Sequence, residues 1–266
     1  MQPTSYNLLR RSVVVAALLL SGLATGSATA EEAPNPFAHG LGEVVRIQAD
    51  GGFFALRQLP PSTRGWIILL QDAGVPPYAS GWMQQLHDTL PDRGWATLTI
   101  EMPGTADSAD AWVSAARQRL SATIVWLQQR NEYAIVAAGQ GLSGVAALQH
   151  AARPTHGLRG IILIDVDAPL HAPSGQQGRR ATFHALSQTR LPLLDLYHDA
   201  GQTAVQTAAE ERHKAIRRGG HADYSPLGLT TSVGSEPTPF SLRRVHGWLE
   251  RHADHIAAGQ PDRRRR

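Results

Sequence analysis

The segment at residues 133–144 is YAIVAAGQGLSG. Its first half, Tyr133–Ala138, is a continuous apolar run, which is typical of a strand buried on both faces of a sheet. Glycines follow at positions 139, 141 and 144, and the stretch from Leu142 to Arg153 has helical character. A strand, a glycine turn and a helix in direct succession predict a βα unit of a parallel sheet.

The same alternation extends over most of the chain. It predicts one α/β domain over residues 43–256, with an irregular segment at 31–42 before it and a basic, disordered tail at 257–266 after it. The first two strands flank Asp50-Gly51-Gly52, a turn signal that predicts an antiparallel hairpin at the sheet edge. We therefore expect a mostly parallel sheet of about eight strands with helices on both faces. The predicted strands are Glu43–Ala49, Phe53–Leu59, Trp66–Leu70, Ala96–Ile100, Tyr133–Ala138, Gly160–Ile164, Leu193–Tyr197 and Tyr224–Thr230.

The N-terminal 30 residues have the pattern of a secretory signal. They contain no acidic side chain, carry Arg10 and Arg11, continue through the apolar run Ser12–Leu23 and end in Ala28-Thr29-Ala30. This pattern predicts cleavage after Ala30, because the apolar run is shorter than the roughly 20 residues that span a bilayer. We expect a periplasmic or secreted protein. The arginine pair also fits a loose twin-arginine pattern, so the export route stays open.

Charge and cysteine content narrow the function classes. Two of the 25 basic residues lie in the signal and four are the terminal Arg263–Arg266, so residues 31–262 carry 19 basic and 22 acidic side chains. A net charge of −3 argues against nucleic-acid binding, although the terminal arginines could make weak contacts with an anionic surface. Because the chain has no cysteine, disulfides and thiolate chemistry are excluded.

The glycine turn fits two kinds of site. As a nucleophile elbow, G-x-S-x-G, it places Gly141 where the nucleophile belongs, so the attacking side chain is missing. As a dinucleotide fingerprint, G-x-G-x-x-G, it matches fully at Gly139, Gly141 and Gly144, and Asp165 could hold a ribose. That fingerprint normally opens its fold, whereas here it follows four predicted strands. A dinucleotide-binding protein is therefore the third hypothesis for this chain.

Four longer motifs carry a family resemblance through their order and spacing. They are RGWATLTIEMP at 93–103, VWLQQRNEYAIVAAGQG at 125–141, LPLLDLYHD at 191–199 and SLRRVHGWLERH at 241–252. With these motifs the chain resembles the α/β-hydrolase superfamily over nearly all its mature length. More closely, it is similar to an uncharacterised family of exported bacterial α/β-hydrolase-like proteins.

The resemblance implies a site whose residues follow the chain order nucleophile, acid, histidine. It places Gly141 at the nucleophile position and Asp199 at the acid position, and it assigns the oxyanion-binding N–H groups to Ala73 and Leu142. The histidine should follow the last strand, but the loop at 231–239 contains none, and His221 precedes that strand. The triad is therefore expected to be degenerate.

Two neighbouring residues complete the predicted site. Gln71-Asp72 stands where the superfamily usually has His-Gly, and the simplest interpretation of Asp72 is a loop carboxylate turned to solvent. Ser143 lies two residues past the elbow on the first helical turn, about 200° around the helix axis from Gly141. We expect Ser143 to face away from the site and to permit close packing of helix on sheet.

Two functional hypotheses remain ahead of the dinucleotide one. The first is a non-catalytic ligand-binding or scaffold protein, whose partner is an unknown small molecule or envelope protein. The second is a weak serine esterase that uses Ser143 and His221. We expect no cofactor and no metal, because His246, His252 and His255 are most simply solvated side chains near the C-terminus.

Overall fold

The computed structural model describes residues 35–37, 40–49, 51–166, 175–220 and 223–253, with only the backbone of 175–179. The predicted signal, His221, His255 and Arg263–Arg266 lie outside these residues. So do half of the predicted N-terminal segment at 31–42 and the whole predicted tail.

Eight strands in this part of the chain form one sheet, in the order β1-β2-β4-β3-β5-β6-β7-β8. β1 pairs with β2 and β2 with β4 in antiparallel fashion, and the remaining neighbours are parallel. The predicted hairpin is confirmed at the sheet edge, where Gly51 and Gly52 both have positive φ. The strands are β1 Glu43–Ile47, β2 Phe53–Gln58, β3 Gly65–Leu70, β4 Trp95–Ile100, β5 Ile135–Gln140, β6 Gly160–Ile164, β7 Leu193–Tyr197 and β8 Tyr224–Gly228.

Six α-helices of the described chain cover the two faces of the sheet. Alternate residues of β3 separate the faces, because Ile68 and Leu70 belong to one buried cluster and Ile67 and Leu69 to another. Helices α2 to α5 pack against the first cluster, and α1 and α6 against the second. The helices are α1 Trp82–Thr89, α2 Ala109–Gln128, α3 Leu142–Ala151, α4 Gly175–Gln188, α5 Thr203–Arg218 and α6 Pro239–His252.

The predicted fold class is confirmed: a mostly parallel sheet with an antiparallel N-terminal hairpin and helices on both faces. Four strand boundaries differ from the predicted ones by two residues, namely the ends of β1 and β8 and both ends of β5. β5 continues through Gly139 and Gln140, because these residues still pair with Leu163 and Ile164 of β6. No helix in the described ranges is long and apolar enough to cross a membrane.

The sheet also decides where a site forms. β3, β5, β6 and β7 are consecutive parallel neighbours, so the residues that follow them meet at one carboxyl edge. Gly141, Asp165 and His198 directly follow β5, β6 and β7, and Asp72 lies two residues after β3.

Candidate functional site

The turn between β5 and α3 keeps the backbone shape of an elbow with glycine at its apex. Gly141 has φ 55° and ψ −125°, and its N–H donates to the Ile164 carbonyl at 2.9 Å. A residue with a side chain would be strained in this conformation, whereas glycine adopts it readily. A Cβ at position 141 would lie 2.1 Å from Asp72 Oδ2, so the space that a nucleophile would need is already filled.

Asp72 occupies that space because it turns inward. Its Oδ1 accepts the backbone N–H of Ala73 at 2.7 Å and that of Leu142 at 2.8 Å. The expectation of a solvent-turned carboxylate is therefore wrong. The N–H groups of Ala73 and Leu142 converge on this oxygen, and Leu142 lies at the start of α3, where backbone donors and the helix dipole favour an acidic oxygen.

The same two N–H groups are those that the family resemblance assigned to an oxyanion site. In a hydrolase of this fold, such donors would stabilise the negative oxygen of a tetrahedral intermediate. Here an internal carboxylate oxygen is bound at that place. Burial raises the pKa of Asp72, the two backbone hydrogen bonds oppose that rise, and the nearby Asp165 adds to it.

A histidine–aspartate pair that the sequence analysis missed lies beside this turn. The Nδ1 atom of His198 is 2.8 Å from both carboxylate oxygens of Asp165, and the His198 backbone N–H donates to Asp165 Oδ1 at 3.0 Å. The indole N–H of Trp82 donates to His198 Nε2 at 3.2 Å. Because an indole can only donate, the His198 proton resides on Nδ1 and points at Asp165.

Both ring nitrogens of His198 therefore have protein partners. The residue is only 2% exposed. A catalytic base needs a ring nitrogen directed at a nucleophile, whereas this nitrogen faces a tryptophan. The signal for the pair was present in the sequence, since Asp165 follows β6 and His198 follows β7, but the histidine stands one residue before the position assigned to the acid.

Asp199 has a different neighbourhood from that of a catalytic acid. Its Oδ2 accepts the backbone N–H of Val233 at 3.1 Å, and its own N–H donates to the Thr231 carbonyl at 2.9 Å. Both partners lie in the loop after β8, so Asp199 connects that loop to the end of β7. Its φ of 52° is one of three positive values at described non-glycine residues.

Ser143 is fully buried on the first turn of α3, and its hydroxyl donates to the Gln71 carbonyl. It therefore joins the loop after β3 to the helix. His221, its partner in the esterase hypothesis, lies outside the described residues.

The glycines of the dinucleotide hypothesis have packing explanations. A Cβ on Gly139 would lie 2.7 Å from the Gly144 nitrogen, and a Cβ on Gly144 would lie 2.6 Å from Val166. The close approach of β5 and α3 thus requires small residues at both positions. Asp165, the proposed ribose acceptor, is buried and engaged by His198.

In the parts of the chain that the structure covers, no group of three His, Asp or Glu side chains is arranged to hold a metal ion. His246 and His252, two of the three histidines considered above, lie on α6.

Comparisons with solved structures support the fold. An esterase of Pyrococcus furiosus is 12% identical with a TM-score of 0.62, covering 79% of this chain and 90% of its own. A dienelactone hydrolase of Anabaena variabilis is 14% identical with a TM-score of 0.62, and the match covers 79% of this chain and 97% of that hydrolase. A thermophilic esterase of Thermogutta terrifontis is 14% identical with a TM-score of 0.58, and the match covers 82% of this chain and 95% of that esterase. This chain thus has the α/β-hydrolase fold.

A family model described as "Protein of unknown function (DUF3530)" matches residues 106–251, more than half of the chain. No match was found among curated proteins.

Proposed function

We propose that this chain, which belongs to the DUF3530 family of proteins of unknown function, is a non-catalytic ligand-binding or scaffold protein on an α/β-hydrolase fold. The observation that carries the proposal is the position of the Asp72 carboxylate. It accepts both N–H groups of the oxyanion site and fills the space above Gly141. A substrate oxygen cannot bind these donors while Asp72 does.

The electrostatics of the turn also oppose acyl transfer. A tetrahedral intermediate would develop its negative charge next to an existing carboxylate, so the turn would destabilise a charge that a hydrolase must stabilise. Like charges in close proximity repel more strongly in a partly buried site than in water. Asp165 adds a second carboxyl group near Asp72.

No described side chain replaces the missing nucleophile at the elbow. The Ser143 hydroxyl donates to the Gln71 carbonyl, and His198 is held between Asp165 and Trp82. A serine hydrolase needs a hydroxyl and an imidazole in mutual hydrogen-bond reach. These contacts favour a structural role for both residues.

We further propose that the protein works outside the cytoplasm, in the periplasm or as a secreted protein. The basis is the sequence of residues 1–30, with two arginines, a short apolar run and Ala28-Thr29-Ala30. N-terminal sequencing of the protein recovered from the native periplasm or medium tests this proposal. A chain beginning at Glu31 agrees with it, and a chain that keeps residues 1–30 in the cytoplasm contradicts it.

A paired assay tests the loss of catalysis. The mature chain and its Ser143→Ala variant are incubated with a fluorophosphonate probe and with a short-chain aryl ester. We expect neither labelling nor turnover above the buffer rate from either protein. Labelling or turnover that disappears in Ser143→Ala would instead establish the serine esterase alternative.

A gain-of-function series sharpens the same test. Gly141→Ser alone should remain inactive, because Asp72 still occupies the oxyanion site. Gly141→Ser combined with Asp72→Gly removes that obstruction, but we still expect no efficient turnover, because His198 Nε2 is engaged by Trp82. Substantial activity of Gly141→Ser alone would contradict the proposed role of Asp72.

A further inference from the structure

Helices α4 and α5 enclose a groove of about 620 Å³. Its lining residues come from 183–190 and 211–219, the C-terminal halves of the two helices and the residues just after them. Helices of a parallel βαβ unit run opposite to its strands, so this end of α4 and α5 lies at the amino edge of the sheet. The five residues of β7 span about 16 Å between the two edges, so the groove is separate from the Asp72 site.

The groove is closed where the two helices touch. A Cβ at Gly219 would lie 2.2 Å from the Ser187 carbonyl oxygen, so a larger residue would push the end of α5 away from α4. Ser187 and Gly219 both line the groove. Its wall is therefore built from backbone in direct contact.

The floor of the groove is apolar and anchored. Ala215 is buried in the larger hydrophobic cluster, and the half-buried Phe183 packs against that cluster. Packing against the core holds these side chains in place, so an apolar ligand would meet a preformed surface.

The rim carries an excess of positive charge. Among the described residues that line the groove, Arg190, Lys214 and Arg218 are basic and Glu211 is acidic. Arg190 donates to the Ser187 carbonyl at 2.8 Å, which orders its guanidinium at the rim. Lys214 lies 3.7 Å from Glu210, but both side chains are exposed, so this ion pair is weak and Lys214 can also bind another anion.

We propose that this groove binds a single-chain alkyl carboxylate, with the chain on Phe183 and Ala215 and the carboxylate at Arg190, Lys214 and Arg218. Arginine guanidinium groups bind carboxylates through paired hydrogen bonds. The volume falls within the roughly 300–1,000 Å³ of pockets that hold small molecules. This proposal rests on the ligand-binding function proposed above and names its ligand class. The groove residues are different from those of the elbow.

Equilibrium binding of a fluorescent fatty acid to the mature chain tests the proposal. The probe is 11-(dansylamino)undecanoic acid, whose emission rises in an apolar site. We expect saturable binding that dodecanoate displaces and that acetate or dodecanol does not, because the site needs both the chain and the charge. Arg218→Glu should raise the Kd of the probe about tenfold or more, since it reverses one charge at the rim.

Arg217→Glu is the matched control. It makes the same charge change on the same helix at an exposed residue that does not line the groove, so its Kd should stay within about twofold of the parent. Phe183→Ala should also raise the Kd of the probe, because it removes apolar contact without changing the charge of the rim. Circular dichroism checks that all three variants fold.

Three results would overturn the proposal. They are no saturable binding by the parent chain, equal weakening by Arg217→Glu and Arg218→Glu, or association with anionic phospholipid vesicles that dodecanoate fails to displace. The binding readout is independent of the hydrolysis assays. Ester turnover would therefore contradict the non-catalytic role but not the proposed ligand site. Absence of probe binding would contradict the proposed ligand site but not the non-catalytic role.

Discussion

Two carboxyl groups, the buried Asp195 within the sheet and the partly buried Asp72 just after it, are held in different ways. Asp195 lies within β7, where its Oδ2 accepts from Arg212 Nε at 2.8 Å and from the Tyr224 hydroxyl at 2.6 Å. Asp72 lies after β3, and two backbone N–H groups hold its Oδ1. Burial is the largest cause that raises the pKa of both carboxyl groups.

The two carboxyl groups differ in the kind of partner they have: side chains for Asp195 and backbone N–H groups for Asp72. The partners of Asp195 are side chains of α5 and β8, and Arg212 is fully buried, so this network joins three elements and offers nothing to a ligand. The partners of Asp72 are the N–H groups of Ala73, in the loop after β3, and of Leu142, at the elbow. Under the proposed function these are the donors that an enzyme of this fold offers to a substrate, so Asp72 would take the place of a ligand, whereas Asp195 takes part in the core.

Breaking the Asp195 network should have the largest effect on stability. Arg212→Ala leaves a carboxylate buried without its cation, which typically destabilises a protein by about 3–5 kcal/mol. Urea denaturation followed by circular dichroism measures this loss. The double variant Asp195→Leu with Arg212→Met should lose less unfolding free energy than Arg212→Ala, because it removes both buried charges together. A loss below about 1 kcal/mol for Arg212→Ala would mean that the network is not structural.

A side chain at the elbow should have the next largest effect. Gly141→Ala combines positive-φ strain with a clash against Asp72, so we expect a loss of about 2–4 kcal/mol in unfolding free energy. Gly74→Ala is the matched control, because Gly74 also has positive φ but open space around its Cβ position. Gly74→Ala should lower the unfolding free energy by only about 1–2 kcal/mol, because it adds backbone strain without a clash.

The clash with Asp72 can be isolated by a double-mutant cycle. In an Asp72→Gly background, Gly141→Ala should lose less than in the parent, giving a coupling of about 1–3 kcal/mol between the two positions. Additive effects would mean that Asp72 does not occupy the space above Gly141.

The sequence predicted the fold better than the site. Continuous apolar strands and the Asp50-Gly51-Gly52 turn locate their elements from local pattern, and every strand lies within two residues of its predicted bounds. The orientation of Asp72 could not be predicted, because its partner Leu142 is 70 residues away and meets it only when β3 and β5 pair. The Asp165–His198 pair likewise depends on the pairing of β6 with β7.

The hydrogen bond that fixes His198 should have a smaller effect. Trp82→Phe leaves the buried Nε2 of His198 without its donor, whereas Trp248→Phe removes a buried indole N–H that has no hydrogen-bond partner. Both substitutions remove the same atoms from the second hydrophobic cluster. We therefore expect Trp82→Phe to lower the unfolding free energy by about 1–2 kcal/mol more than Trp248→Phe does in the same denaturation experiment. Equal losses would argue against a Trp82 hydrogen bond to His198.

The smallest effect should come from neutralising Asp72 without changing its shape. The raised pKa of Asp72 means that the folded chain holds the proton more tightly than the unfolded chain, so the contribution of Asp72 to stability falls as pH rises from about 4 through the raised value. The carbonyl of Asp72→Asn still accepts both N–H groups but does not ionise. Its unfolding free energy, relative to the parent, should therefore increase with pH in this window, as measured by denaturation between about pH 3.5 and 7. A relative decrease would mean that the ionised carboxylate is favoured in the fold.

The most direct test of the Asp72 arrangement is an NMR pH titration of the backbone amides of Ala73 and Leu142. Both N–H proton resonances should move with one shared midpoint above 3.8, because one carboxylate accepts from both groups and its pKa is raised by burial. Asp72→Asn should abolish the shared titration. Amides that do not titrate in the parent, or that titrate unchanged in Asp72→Asn, would show that Asp72 does not occupy the oxyanion site and would contradict the account.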